Sequence, residues 1–302
     1  MSKFTIVGLG ELLWDIFPTH KELGGAPANF AYISSLLGDE AIVASRIGTD
    51  ALGDEVLARL DGLGLDTTHV QRDPAHPTGT VAVELASDGQ PRFEITQSVA
   101  WDFLAWTPQL EDLAKRTDAV CFGSLAQRGL HSRETITRFV RATRESAVRV
   151  FDVNLRQAFY SAEVLAASSQ SADILKMNHD EVPIVMQSLG APSLEEVQSA
   201  QWLRRRFDLK LVCVTRGNKG SLLVSKAGVD EHPGHPVIVA DTVGAGDAFT
   251  ATLVHHFLRG SSLSAMNKAA NHMGAWVASK QGGTPPMDAA QIAKARVQVT
   301  TH

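Results

Sequence analysis

The stretch "DTVGAGDAFTATLVHHFL", which begins at Asp241, sets Gly244, Ala245 and Gly246 directly ahead of a carboxylate, Asp247, and a long apolar run. A helix starting at such a sequence offers unpaired N–H groups and the positive end of its dipole, and both favour an anion. Glycines there let a phosphate come close to the amides. The plain alternative is a first-turn aspartate that only stabilises the helix dipole.

A second stretch of small residues, "GGAPANFAYISSLLG", begins at Gly24. Pro27 suits a first helical turn and Gly38 a C-terminal cap. Two glycines ahead of the helix allow close approach of a ligand, and Asn29 in the first turn can exchange hydrogen bonds with a polyol. A glycine-capped helix packing its Ala and Leu face explains the same residues without a ligand. Neither stretch is a Walker A loop, because GxxxxGK[ST] occurs nowhere in the chain. Both "GAGDAF" and "GLGELL" lack the third glycine of the dinucleotide fingerprint. The histidines show no metal-ligand spacing. His255 is expected to pack or face solvent. Trp14 and Trp101 are expected in the core, although Trp14 beside Asp15 suits the wall of a pocket.

The elements that must position these residues alternate. Short β-branched runs ("KFTIVGLG", "AIVASRIG", "DAVCFGSL", "VRVFDVN", "ADILKMN", "LKLVCVTRG") are separated by segments of helical spacing such as "SRETITRFVRATRES". This order predicts an α/β fold, a mainly parallel central sheet flanked by helices. No repeat or linker divides the chain, so one domain over 1–302 is expected. Two parts, about 11–25 and 76–100, look like strands and turns without helices and predict a small β appendage, read as a lid or more plainly as a surface hairpin. A hairpin turn is expected at "SDGQ", 87–90.

A net charge of −5 leaves no basic footprint for nucleic acid. No uncharged run approaches the roughly 18–20 apolar residues of a membrane span. Glu11 and Asp15 break the N-terminal apolar stretch, which is therefore not read as a signal peptide. Cys121 and Cys213 each sit in an apolar run, as buried, reduced thiols do. A soluble, cytoplasmic protein is expected.

The combination of "GGAPANFA" early and "DTVGAGDAF" late resembles the two signature motifs of the ribokinase-like (PfkB) carbohydrate kinases. The intervening order is similar too: "GELLWDIFP", "GTDALGD" at Gly48, "DVNLR" at Asp152, "NHDE" at Asn178 and "VTRGNKGS" at Val214. The resemblance covers essentially the whole chain and is strongest to the fructokinase branch. It implies a parallel sheet with a small β-sheet lid, and transfer of the γ-phosphoryl of ATP to a sugar hydroxyl. Asp247 is then the catalytic base, and the amides of Gly244, Ala245 and Gly246 form the anion hole. An ordinary aspartate has a pKa of about 3.9, and the helix dipole is expected to lower it further. In a loose phosphoryl-transfer transition state, positioning and charge stabilisation matter more than basicity.

The resemblance assigns Asp15, Gly25, Asn29, Arg156 and Asp247 to the sugar, with a structural ion pair as the alternative for Arg156. It assigns Asn178, Thr215, Gly217, Gly220, Gly244, Gly246 and Asn271 to ATP, with the "SKQGGTPP" loop from Ser279 closing the adenine side. Glu181 acts on Mg2+ through water, or is only a helix-start charge. Asp241 and the Val243 carbonyl, with carbonyls of the 279–283 loop, imply a monovalent cation site for K+. The lid sheet implies a homodimer through subunit pairing.

One departure bears on the substrate. Many fructokinases carry an aromatic–Arg pair in the second lid strand, where this chain has Ile95 and Thr96, with Arg92 the nearest arginine. Another ketose, an aldose, a sugar acid, a phosphorylated sugar or a nucleoside therefore stand beside fructose as substrates. A sugar-binding regulator that has lost turnover is the alternative class. A Rossmann dehydrogenase is disfavoured by the broken fingerprints.

Overall fold

The computed structural model describes residues 3–85, 91–288 and 292. Its strands are β1 (Thr5–Leu9), β2 (Leu13–Ile16), β3 (Lys21–Gly24), β4 (Glu40–Gly48), β5 (Val70–Asp73), β6 (Gly79–Leu85) and β7 (Pro91–Ile95). There follow β8 (Ala119–Gly123), β9 (Val148–Asp152), β10 (Ile174–Asn178), β11 (Leu211–Thr215), β12 (Ser221–Ser225) and β13 (Val229–His232). The helices are α1 (Ala26–Leu36), α2 (Ala51–Gly62), α3 (Pro108–Arg116), α4 (Leu130–Ala142) and α5 (Ala162–Ser171). The remainder are α6 (Glu181–Ser188), α7 (Glu196–Arg206), α8 (Ala245–Leu258) and α9 (Leu263–Ala278).

The large sheet runs β13-β12-β11-β10-β9-β8-β1-β4-β5. From β11 to β5 every pairing is parallel, and β12 and β13 close one edge as antiparallel strands. Side chains alternate faces along a strand, and here both faces are dry. Val7 and Leu9 join a core with Phe139 of α4 and Leu203 of α7, whereas Ile6 joins the opposite core with Phe30 of α1 and Leu253 of α8. That is why these strands read as unbroken apolar runs and not as alternating ones.

A separate sheet has the order β3-β2-β6-β7. β2 pairs antiparallel with β3 and parallel with β6, and β6 pairs antiparallel with β7, so the two helix-free parts of the sequence meet each other. The turn expected at 87–90 lies outside the described residues. Trp14 does not stand free as a pocket wall: it is buried, and its Nε1 donates to Leu52 O of α2 at 3.0 Å. His255 is buried as well, within 2.5 Å of Asp39 Oδ2. Both cysteines are buried free thiols. No helix among the described residues is long and apolar enough to cross a membrane.

Candidate active site

Parallel strands end together, and loops leaving those ends define the crevice of an open α/β sheet. Asp152, Asn178 and Thr215 are the last residues of β9, β10 and β11. α1 and α8 open at the same edge. Gly244 caps α8 at φ 74°, and a Cβ there would lie 2.5 Å from Gly283 Cα, so only glycine lets the 279–283 loop cross the helix start. Gly25 caps α1 at φ 109°, with a Cβ position 2.6 Å from Glu11 O.

The two helix mouths meet through side chains. Asn29 Nδ2 donates to Asp247 Oδ2 at 2.8 Å, and Asn29 is buried. Burial raises the Asp247 pKa to about 6, with the Asp152 charge adding to the rise; Asn29, Lys176 and Arg156 pull against it. The lowering expected from the helix dipole is therefore overridden. Loss of water around a carboxylate outweighs the partial charges of one helix end, and the group becomes a stronger base than an exposed aspartate.

Behind Asp247 lies a buried ion pair. Lys176 Nζ donates to Asp152 Oδ1 at 3.0 Å, and Thr250 Oγ1 to Asp152 Oδ2 at 3.2 Å. Burial disfavours the ammonium, but Asp152, Glu181 and Asp247 together hold Lys176 well above the ordinary lysine range. A Cβ on Gly246 would come within 3.2 Å of Lys176 Nζ, which places that cation at the first turn of α8. Glu11 is a further buried carboxyl, raised to about 7 chiefly by burial and then by Asp247, with Oε2 unpartnered among the described residues.

A cavity of about 910 Å³ opens on one side of the α8 start. Asn178, Thr215, Gly217, Gly220, Ala245, Gly246 and Asn271 all line it; Gly244 does not. The Ala245 amide is engaged, at 3.3 Å, with Thr242 O. Asp247 faces a much smaller recess on the other side, shared with Ala26, Pro27 and Asn154. Ala245 and Gly246 thus front one space and the Asp247 carboxylate another.

Glu181 makes a reciprocal cap: its amide donates to Asn178 Oδ1 at 2.9 Å, and its Oε2 accepts from Asn178 N at 2.8 Å. Oε1 accepts from Leu155 N at 2.7 Å, which ties the "DVNLR" loop to α6. Both carboxylate oxygens are thus occupied by one donor each, and the lone pairs that remain suit a cation's water better than direct ligation. Asp241 accepts from Val243 N and Gly282 N, each at 3.0 Å, and so fixes the 279–283 loop. Among the described residues no group of three His, Cys, Asp or Glu side chains is placed to hold a metal.

Asp15 lies directly opposite Glu22 across β2 and β3. Burial, and then the Glu22 charge, raise its pKa to about 6. Arg156 is exposed, and its charge lowers the carboxyl pKa of Glu11, Asp15 and Asp247.

Comparison with known proteins shows which family the chain belongs to. The model of the pfkB family carbohydrate kinases matches residues 9–290. The chain belongs to that family. The uncharacterized sugar kinase PH1459 of Pyrococcus horikoshii is 31% identical over 304 residues, which cover 94% of this chain and 93% of that one. Its crystal structure in complex with ATP aligns with a TM-score of 0.81 over 99% of this chain and 100% of that one, at 28% identity. Fructokinase-1 of Oryza sativa subsp. japonica is 29% identical over 309 residues, 93% of this chain and 94% of its own. The fructokinase of Vibrio cholerae O395, solved with fructose, ADP and calcium, aligns with a TM-score of 0.77 at 26% identity, over 96% of this chain and 98% of that one.

As a pfkB carbohydrate kinase the chain holds its two signature segments against each other at Asn29 and Asp247. Motif reading alone missed Glu11 and Lys176. The signal for Lys176 was present: a lone lysine inside the apolar run "ADILKMN" must be paired if that run is a buried strand. Glu11 carried no comparable signal, because its burial depends on how α1 packs.

Proposed function

We propose that this pfkB carbohydrate kinase transfers the γ-phosphoryl group of ATP to a primary hydroxyl of a sugar, with fructose the first candidate. The observation carrying this reading is the α8 start, where Ala245 and Gly246 face a nucleotide-sized cavity and Asp247 faces the recess beside α1. ATP lies in the cavity, along Asn178, Thr215, Gly217, Gly220 and Asn271, with its γ-phosphoryl at the α8 mouth. The amides of Gly244, Ala245 and Gly246 stabilise charge on the transferring group, and Lys176 adds a fixed positive charge behind them. The sugar sits under the small sheet, which acts as a lid, and is held by Asp15, Gly25, Asn29 and Arg156. Asp247 takes the hydroxyl proton. A pKa of about 6 leaves it mostly ionised at pH 7 and a stronger base than an exposed aspartate. Mg2+, engaged through water by Glu181, supplies charge neutralisation when bound; Asp241 and Val243 are the residues for a monovalent cation such as K+. Cytoplasmic residence and pairing of lids in a homodimer belong to the same reading.

The substrate is the finer question. Where many fructokinases carry an aromatic–Arg pair this chain has Ile95, buried at the end of β7, and Thr96, bonded to Thr80 across the small sheet, so no guanidinium stands at that place. That favours testing a sugar acid and other sugars beside fructose. Sugar-dependent ADP release, with Mg2+ and with or without K+, decides it over fructose, ribose, glucose, tagatose, 2-keto-3-deoxygluconate, fructose 6-phosphate and adenosine. Fast turnover on fructose is expected. Turnover on another compound moves the specificity; silence with ATP still bound makes a sugar-binding regulator of the same fold the reading to pursue.

A further inference from the structure

Arg128 follows β8 and stands where the small sheet meets the body. Its guanidinium lies 4.0 Å over the Trp101 ring and 4.7 Å from the Phe159 ring. Nε and Nη2 donate to Asp102 Oδ1 and Oδ2 at 2.8 and 2.9 Å, and Nη2 also donates to Thr96 O at 2.6 Å. The side chains of Arg128 and Asp102 are each 7% exposed. Thr96 is where β7 leaves the small sheet. Gly79, where β6 enters it, rests on the same indole: a Cβ there would lie 2.3 Å from Trp101 Nε1.

Phe159 belongs to the loop that carries Arg156. Its amide donates to Arg156 O at 3.0 Å, and on the other side of Arg156 the Leu155 amide is held by Glu181. Asn154, just before the first anchor, and Gln157, between the two, take φ values of 43° and 50°, backbone that is uncommon for residues other than glycine. Arg128 therefore reaches one small-sheet strand directly at Thr96, a second through the Trp101 indole on which Gly79 rests, and the Arg156 loop through Phe159.

We propose that Arg128 is a positioning residue, fixing the small sheet and the Arg156 loop in one mutual arrangement so that sugar contacts from both sides are set together. This rests on the reading of Arg156 and the small sheet as the sugar-binding side. An arginine is required because only a planar guanidinium can pair bidentately with a carboxylate, reach a carbonyl and stack on two rings at once. Lysine at this position keeps the charge that Asp102 needs and loses the rest.

The test uses Arg128→Lys, Phe159→Leu and Arg156→Ala on the full chain, with the sugar that turns over fastest. In Arg128→Lys the sugar KM is expected to rise about tenfold while the ATP KM stays within about twofold, and Phe159→Leu should move it the same way. In an Arg156→Ala background the Arg128→Lys effect should shrink to about twofold or less, because residues acting through one another are not additive. A sugar KM left unchanged by Arg128→Lys in a folded enzyme overturns the inference, and so does a full effect persisting without Arg156. An Arg156→Ala enzyme with a normal sugar KM defeats the underlying sugar-contact reading instead, and the inference with it.

Discussion

Asn29 and Asp247 lie 218 positions apart in the chain and share a hydrogen bond of 2.8 Å. One opens α1 and the other opens α8, so the bond joins the two helix mouths that front the cleft. It also acts on the chemistry. The donated N–H favours the ionised form of Asp247 against a burial that pushes its pKa to about 6.

Replacing Asp247 by Asn keeps size and polarity and removes the base. The kcat for sugar phosphorylation is expected to fall by about 10³ or more, within or beyond the range for loss of a general base. Circular dichroism and nucleotide binding should be unchanged. Turnover near that of the native enzyme would exclude Asp247 as the base.

The pH profile follows from the same group. Asp247 must be ionised to accept a proton, so kcat should fall about tenfold per pH unit below about 6, not below 4. Asn29→Ala removes a donor that lowers this pKa, and the acid limb should move to higher pH. An acid limb unmoved in that variant would show that the bond does not tune Asp247.

Glu11 should make stability depend on pH in the opposite sense from a salt-bridged carboxylate. Its folded pKa is raised from 4.5 to about 7, so the stability it contributes is complete below 4.5 and lost as pH rises through 7. Glu11→Gln removes the buried charge and should stabilise the protein at pH 8 by roughly 2–3 kcal/mol, with little change at pH 4.5. Thermal melts at the two pH values check this; equal shifts at both would be wrong for a buried, titrating carboxyl.

Lys176 and Asp152 are a buried pair whose halves depend on each other. Lys176→Met should destabilise by about 3–5 kcal/mol, because it leaves the Asp152 carboxylate buried and uncompensated. Adding Asp152→Asn should recover a large part of that loss, with Thr250 still able to bond the amide. Urea unfolding of Lys176→Met, Asp152→Asn and the double variant measures it, and simple additivity would mean the two charges are independent.

The sequence by itself carried the fold class and the position of both helix mouths. These are written in local chemistry: unbroken β-branched runs for strands buried on both faces, and Gly244 and Gly25 where backbone needs positive φ. The two helix-free parts were legible as a small β appendage, but their pairing through β2 and β6 came only with the fold. What the sequence did not hold was the electrostatics. Asp247 alone, read at a helix start, should be more acidic than usual; packed behind α1 it is less acidic, because desolvation is a property of what surrounds a group and not of its neighbours in the chain. The same applies to Glu11, to the partner of Lys176, and to Arg128, whose contacts come from Thr96, Asp102 and Phe159. Residues and their order are local information. Burial and the meeting of distant segments exist only once the chain has folded.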